Sequence, residues 1–165
     1  MVNEIQLTKE DLFFILEGIV DPEIPVVSIR EMGMLRDIIL DQNSCEVIIT
    51  PTYTGCPAMA IIEQDIIATL YQNGIEDVKV TTIYSPAWST DWMTNETKEK
   101  LRQYGIAAPI HSSCSNWLKP NSLSVECPRC QSTQTKMISQ FGSTACKALY
   151  QCQSCHEPFD YFKCH

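Results

Sequence analysis

The sequence predicts an α+β protein, a small α-β-β-α-β domain followed by a C-terminal zinc ribbon of short β hairpins. Three observations predict it. Apolar residues recur at helical spacing in two early stretches. Short β-branched runs with turn residues between them lie in the same region. Two Cys-x-x-Cys pairs stand in the C-terminal quarter of the 165 residues.

The first helix is expected over residues 9–19. Thr8 with Asp11 three residues on resembles a capping box, and Leu12, Ile15, Leu16 and Ile19 then line one face. Asp21-Pro22-Glu23-Ile24-Pro25 follows, and its two prolines force an extended or turning path. Ser28 is placed to cap a short helical turn that ends at Gly33. Residues 34–40 read as a strand, Asp41-Gln42-Asn43-Ser44 as a turn, and residues 45–50 as the partner strand of a hairpin. Pro51 ends that strand, and Thr52-Tyr53-Thr54-Gly55-Cys56-Pro57 is a tight loop into a second helix. Met59, Ile62, Ile66 and Leu70 give that helix an apolar face, and Gly74 stops it. Residues 78–83 form the third strand, and the helix before it makes a parallel crossover the expected connection. Residues 86–93 carry two tryptophans and no period, so they read as a loop. Thr94 caps a helix through Tyr104, closed by Gly105, and residues 107–123 read as a Pro-, Ser- and Asn-rich linker. The domain expectation is therefore residues 1–85, then a loop, helix and linker over 86–123, then the ribbon over 124–165.

Charge narrows the function. Residues 1–123 hold 8 Lys and Arg against 17 Asp and Glu, while residues 124–165 hold 4 against 3. A nucleic-acid binder needs a basic footprint to displace counterions from phosphates, so nucleic acid is not an expected partner. The apolar run at residues 12–16 is too short for a signal or membrane-spanning segment, so a cytoplasmic protein with no membrane partner is expected. In that reducing compartment nine cysteines point to metal or redox chemistry rather than to disulfides.

Cys127-Pro128-Arg129-Cys130 and Cys152-Gln153-Ser154-Cys155 are the most specific signal. Each turn lets two thiolates converge on one ion, and two turns complete a four-sulfur site. In so small a segment the ion replaces a missing core, which makes its role structural. Zinc is the expected ion, with iron as the other chemistry that four cysteines hold. Cys146, Cys164, His156 and His165 lie close enough in sequence to be alternative ligands, though Cys146 also reads as a small packed side chain.

Cys56 stands apart in the N-terminal body. At a helix start, unpaired N–H groups and the dipole favour a thiolate that can attack, be oxidised or bind a metal. Asp21 and Glu23 lie on another loop and offer hard oxygen ligands or acid–base help if the loops meet; Thr52 and Thr54 offer hydrogen bonds. The plain alternative is a small residue capping a helix. Cys45 reads as core, and Cys114 as a free thiol without a role. His111 lies in the linker, and no nucleophile–base set is visible.

Several strings then carry a resemblance. Asp21-Pro22-Glu23-Ile24-Pro25-Val26, the Met32-Gly33-Met34 turn and Pro51-Thr52-Tyr53-Thr54-Gly55-Cys56-Pro57-Ala58 resemble the metal–sulfur cluster assembly family that includes SufT. Pro86-Ala87-Trp88-Ser89-Thr90-Asp91-Trp92-Met93, Arg102-Gln103-Tyr104-Gly105-Ile106, Phe141-Gly142-Ser143-Thr144-Ala145-Cys146-Lys147-Ala148-Leu149-Tyr150 and Glu157-Pro158-Phe159-Asp160-Tyr161-Phe162-Lys163-Cys164 resemble the PaaD (PaaJ) family of the phenylacetyl-CoA epoxidase system.

The resemblance implies an accessory protein, not an enzyme, that helps mature a ring-epoxidising oxygenase of phenylacetate degradation. Its implied partners are the oxygenase subunits, either the di-iron catalytic subunit or the iron–sulfur reductase. It implies Cys56 as a cluster ligand with Asp21, Glu23 and Thr52 around it, and iron or an iron–sulfur cluster as cargo. One Cys56 per chain would hold such cargo transiently and would favour a homodimer that pools two cysteines. Two other readings stand beside it: a structural or regulatory oxygenase component, and a thiol enzyme that uses Cys56. Trp88 and Trp92 are expected either on a docking surface or in the core.

Overall fold

The computed structural model describes residues 7–41, 44–108 and 125–163. The expectations for His111, Cys114, Cys164, His165 and most of the linker fall outside the described residues. The chain divides after Ala87 into two compact units.

The first unit opens with α1 (Lys9–Leu16), capped as expected. Thr8 Oγ1 accepts from Asp11 N–H, and Asp11 in return accepts from Thr8 N–H at 2.9 Å. The helix ends at Leu16, sooner than the apolar period suggested. Ile19 is still buried, but it belongs to the turn that leads into β1 (Val20–Asp21). This short strand pairs antiparallel with β2 (Ile24–Ser28), so of the two expected paths the segment takes the turning one, as a small hairpin. Asp21 builds its turn, with Oδ1 accepting from the N–H groups of Glu23 (2.7 Å) and Ile24 (3.0 Å). Ser28 caps the next turn: its Oγ accepts from Glu31 N–H, and Glu31 Oε2 accepts from Ser28 N–H.

β3 (Leu35–Asp41) and β4 (Ser44–Ile49) form the predicted antiparallel pair. α2 (Ala58–Gln72) then crosses to β5 (Asp77–Thr82), which lies parallel to β4 and completes the sheet order β3-β4-β5. Ile38, Cys45, Val47 and Ile49 of the sheet are buried, as are Leu12 and Leu16 of α1 and Ile62, Ile66 and Leu70 of α2. That assignment follows from the two sequence periods, two for the strands and about 3.6 for the helices. Cys45 is core, as expected, and burial pushes its thiol up.

The second unit contains more than the cysteine ribbon. Its 88–107 segment, read from sequence as a loop, a helix and the start of a linker, packs with the ribbon. A short 3-10 turn, η1 (Thr90–Trp92), interrupts the expected loop. α3 (Asn95–Tyr104) follows, capped by Thr94 Oγ1 and ended by Gly105 at φ 94°, a left-handed conformation that glycine adopts without strain. β6 (Ile106–Ala107) then runs parallel to β9 (Pro158–Phe162), beside β8 (Lys147–Cys152) and β7 (Thr135–Ser139), in the order β6-β9-β8-β7. Ala107, Val125, Ala148, Tyr150, Phe159 and Tyr161 form this unit's core together with Cys127 and Cys152. Trp88 is buried edge-on against Phe162 with ring centroids 5.7 Å apart, which removes it from any docking surface; Trp92 is half-buried.

Candidate functional site

Each Cys-x-x-Cys pair sits on a tight turn of the same design. Cys127 N–H donates to the Ser132 carbonyl, and Cys152 N–H donates to the Glu157 carbonyl, both at 2.9 Å. The residue after each second cysteine, Gln131 or His156, has a φ of 62°. That left-handed step curls the chain back so that both sulfurs of a pair face one way. The four Sγ atoms of Cys127, Cys130, Cys152 and Cys155 lie within 4.8 Å of one another. Across the turns, Cys127 and Cys155 are 3.8 Å apart and Cys130 and Cys152 are 3.5 Å apart. A tetrahedral ion with metal–sulfur bonds of about 2.3 Å requires sulfur separations of about 3.8 Å, so the donor set fits.

The electrostatics agree with that fit. N–H groups of Cys155 and Ser154 both donate to Cys152 Sγ at 3.4 Å and hold its thiol down at about 6. At Cys130 the Ser132 N–H acts in the same direction, but burial and the three crowded sulfurs outweigh it and push the thiol up to about 12. Four sulfurs this close cannot all ionise unless a cation stands between them. Cys146 is not one of this group. It is buried at the far end of β8, where Thr144 Oγ1 and Cys146 Sγ are 3.0 Å apart.

The N-terminal site is less complete. Cys56 sits in the loop between β4 and α2, just before Pro57 caps the helix, and it is 9% exposed. The expectation of a thiolate fails. Burial is the largest influence and pushes the thiol up, and the charges of Glu23 and Asp21 push it the same way. The helix N-terminus does act, through a hydrogen bond from the Ala58 N–H, but that bond and the Tyr53 side chain do not offset the burial. The charges of Glu23 and Asp21 therefore reach Cys56 electrostatically. Thr52 is buried in the same loop, and among the described residues no hydrogen bond joins it to Cys56. Tyr53 was not singled out from the sequence; its place three residues before Cys56 in a tight turn was the available signal. Thr50 Oγ1, at the head of the loop, is buried without a hydrogen-bond partner.

The negative charges of Glu23 and Asp21 disfavour the thiolate and make Cys56 a poor nucleophile, but among the described residues these three are not gathered into a metal-holding group as the ribbon cysteines are. The same charges attract a cation, whose charge would reverse that preference.

Comparison with known proteins follows this division. Residues 9–83 match the family model of an iron–sulfur cluster assembly protein. Residues 112–163 match the PaaD zinc beta ribbon domain. A protein of Escherichia coli (strain K12), described as one of the subunits of 1,2-phenylacetyl-CoA epoxidase, is 48% identical over 93% of this chain and 92% of its own length. An Fe-S protein maturation auxiliary factor of Porphyromonas gingivalis (strain ATCC BAA-308 / W83) is 30% identical over 61% of this chain and 97% of its own. Among solved structures, a domain of unknown function (DUF59) from Bacillus anthracis superposes with a TM-score of 0.53 at 29% identity. It covers 56% of this chain and 90% of its own.

Proposed function

The chain belongs to the PaaD family, and from that membership we propose that it is an accessory protein that helps mature the metal centres of a phenylacetyl-CoA epoxidase. The observation that carries the reading is the match of residues 9–83 to an iron–sulfur cluster assembly protein, with Cys56 in the loop before α2 under the negative charges of Glu23 and Asp21. Such a site favours a cation over a free thiolate. With one sulfur and no further ligands gathered around it among the described residues, it would hold iron loosely, which suits hand-over better than storage. The iron or iron–sulfur unit is then cargo, and two chains pooling their Cys56 residues would hold it better than one. The names of the relatives, an auxiliary factor and a complex component, support a role without turnover. The raised thiol weighs against a Cys56-based enzyme, which needs a ready thiolate. The client is an epoxidase component, either the di-iron catalytic protein or the iron–sulfur reductase.

The ribbon's role in this reading is structural. Four thiolates close the coordination sphere and leave no position for substrate, and zinc is the ion we assign to it.

The test is the metal and acid-labile sulfide content of the anaerobically purified protein and of Cys56→Ser. The proposal expects zinc in both, and iron with or without sulfide only in the parent protein. Equal iron in both would overturn Cys56 as ligand. In cells lacking this protein, epoxidase components with normal iron and sulfide would overturn the maturation role.

A further inference from the structure

We infer that Arg102 is a positioning residue for the four-cysteine site: it holds the first Cys-x-x-Cys turn in place from α3 and so sets how slowly the ion is released. The inference rests on the ribbon binding a metal and is independent of the cargo assigned to Cys56.

The two turns share a backbone design but not their support. In the second, the N–H groups of Ser154 and Cys155 both donate to Cys152 Sγ. In the first, among the described residues, the equivalent N–H groups of Arg129 and Cys130 make no such bond to Cys127 Sγ. The α3 side of the first turn borders a pocket open to solvent. This cavity of about 320 Å³ is lined by Lys98, Glu99, Arg102, Glu126, Cys127 and Pro128. A turn that carries two ligands and is bordered on one side by a pocket open to solvent gains from another restraint.

Arg102 provides it. Its Nε and Nη2 both donate to the Glu99 carboxylate, the first at 2.7 Å, and Gln103 Nε2 donates to the same carboxylate at 3.0 Å. This two-point grip fixes the guanidinium plane. The remaining Nη1 then donates to the Pro128 carbonyl, inside the first turn, at 3.3 Å. Glu99 is held down at about 2, with its Arg102 hydrogen bonds the largest cause, so the fork stays charged in any ordinary buffer. α3 lies between the two stretches that the family models match, residues 9–83 and 112–163, so neither domain description includes this restraint.

The experiment uses the full chain loaded with zinc and mixed with an excess of a chelating dye, and it reads the rate of zinc release. Arg102→Ala should release zinc about tenfold faster, the loss expected when one hydrogen bond from a charged group is removed from the closed state. Arg102→Lys should also be faster, because a single ammonium cannot grip Glu99 twice and still reach Pro128. Lys98→Ala lines the same cavity without bonding the turn and should keep the parent rate. With cobalt in place of zinc, the thiolate charge-transfer absorption should be the same in all variants, since four sulfurs still bind. Release of zinc at the parent rate from Arg102→Lys, or equal acceleration by Lys98→Ala, would overturn the role of Arg102. A chain that takes up no metal at the four cysteines would overturn the metal reading itself and this inference with it.

Discussion

At the scale of single residues, Cys56 illustrates how opposing influences are ranked. The N–H of Ala58 favours the thiolate, as any helix start does, but desolvation and two carboxylates act against it. Alkylation of the Cys56 peptide by iodoacetamide, followed by mass spectrometry in the metal-free protein, should therefore be slow at neutral pH. It should rise only above the ordinary thiol range. Glu23→Gln removes a negative charge that raises the thiol, so the pH midpoint of alkylation should move down. A midpoint that stays put or rises would contradict the coupling. The sequence placed Cys56 at the helix start, because a proline after a tight glycine-containing loop is a local signal. The sign of its pKa shift was not readable, because burial depends on what the fold stacks over the loop.

At the scale of elements, local rules located the helices and long strands well and missed the shortest pieces. α2, α3 and β3–β5 lie within one or two residues of their expected bounds, since caps and apolar periods are written into neighbouring residues. β1 and β6 are two residues each, too short to display a period, and exist only because a partner strand lies beside them. Two substitutions test the ribbon and its helix at this scale. A Cβ at Gly142 would run into the Asp160 carboxylate, whose Oδ1 also accepts from Ser143 N–H at 3.3 Å. Gly142→Ala should thus cost about 1–3 kcal/mol in denaturant unfolding of the zinc-loaded chain. Thr94→Ala removes the α3 cap that accepts from Thr97 N–H and should cost about 1 kcal/mol, read the same way.

At the scale of the whole molecule, the chain divides into two units, and the four-cysteine metal group belongs to the second. In the second unit Cys127 and Cys152 belong to the core itself, so the ion and the apolar side chains stabilise the same fold. Chelation should strip hydrogen-exchange protection from β7, β8 and β9 while α2 and the β3–β5 sheet keep theirs. Loss of protection in both units together would mean that the chain folds as one cooperative body. Among the described residues no helix is long and apolar enough to cross a membrane.

The sequence alone determined what neighbouring residues decide: the helix caps, the hairpin of β3 and β4, and the two Cys-x-x-Cys turns whose spacing makes a four-sulfur site. The tertiary structure decided what distant residues share. Asp21 and Glu23 act on Cys56 from another loop, and Arg102 reaches Pro128 across 26 positions of chain. β6 lines up with β9 from opposite sides of the linker region. Spacing encodes contacts only while the chain between two residues is short enough to have few conformations. Beyond that, the packing of whole elements decides which groups meet.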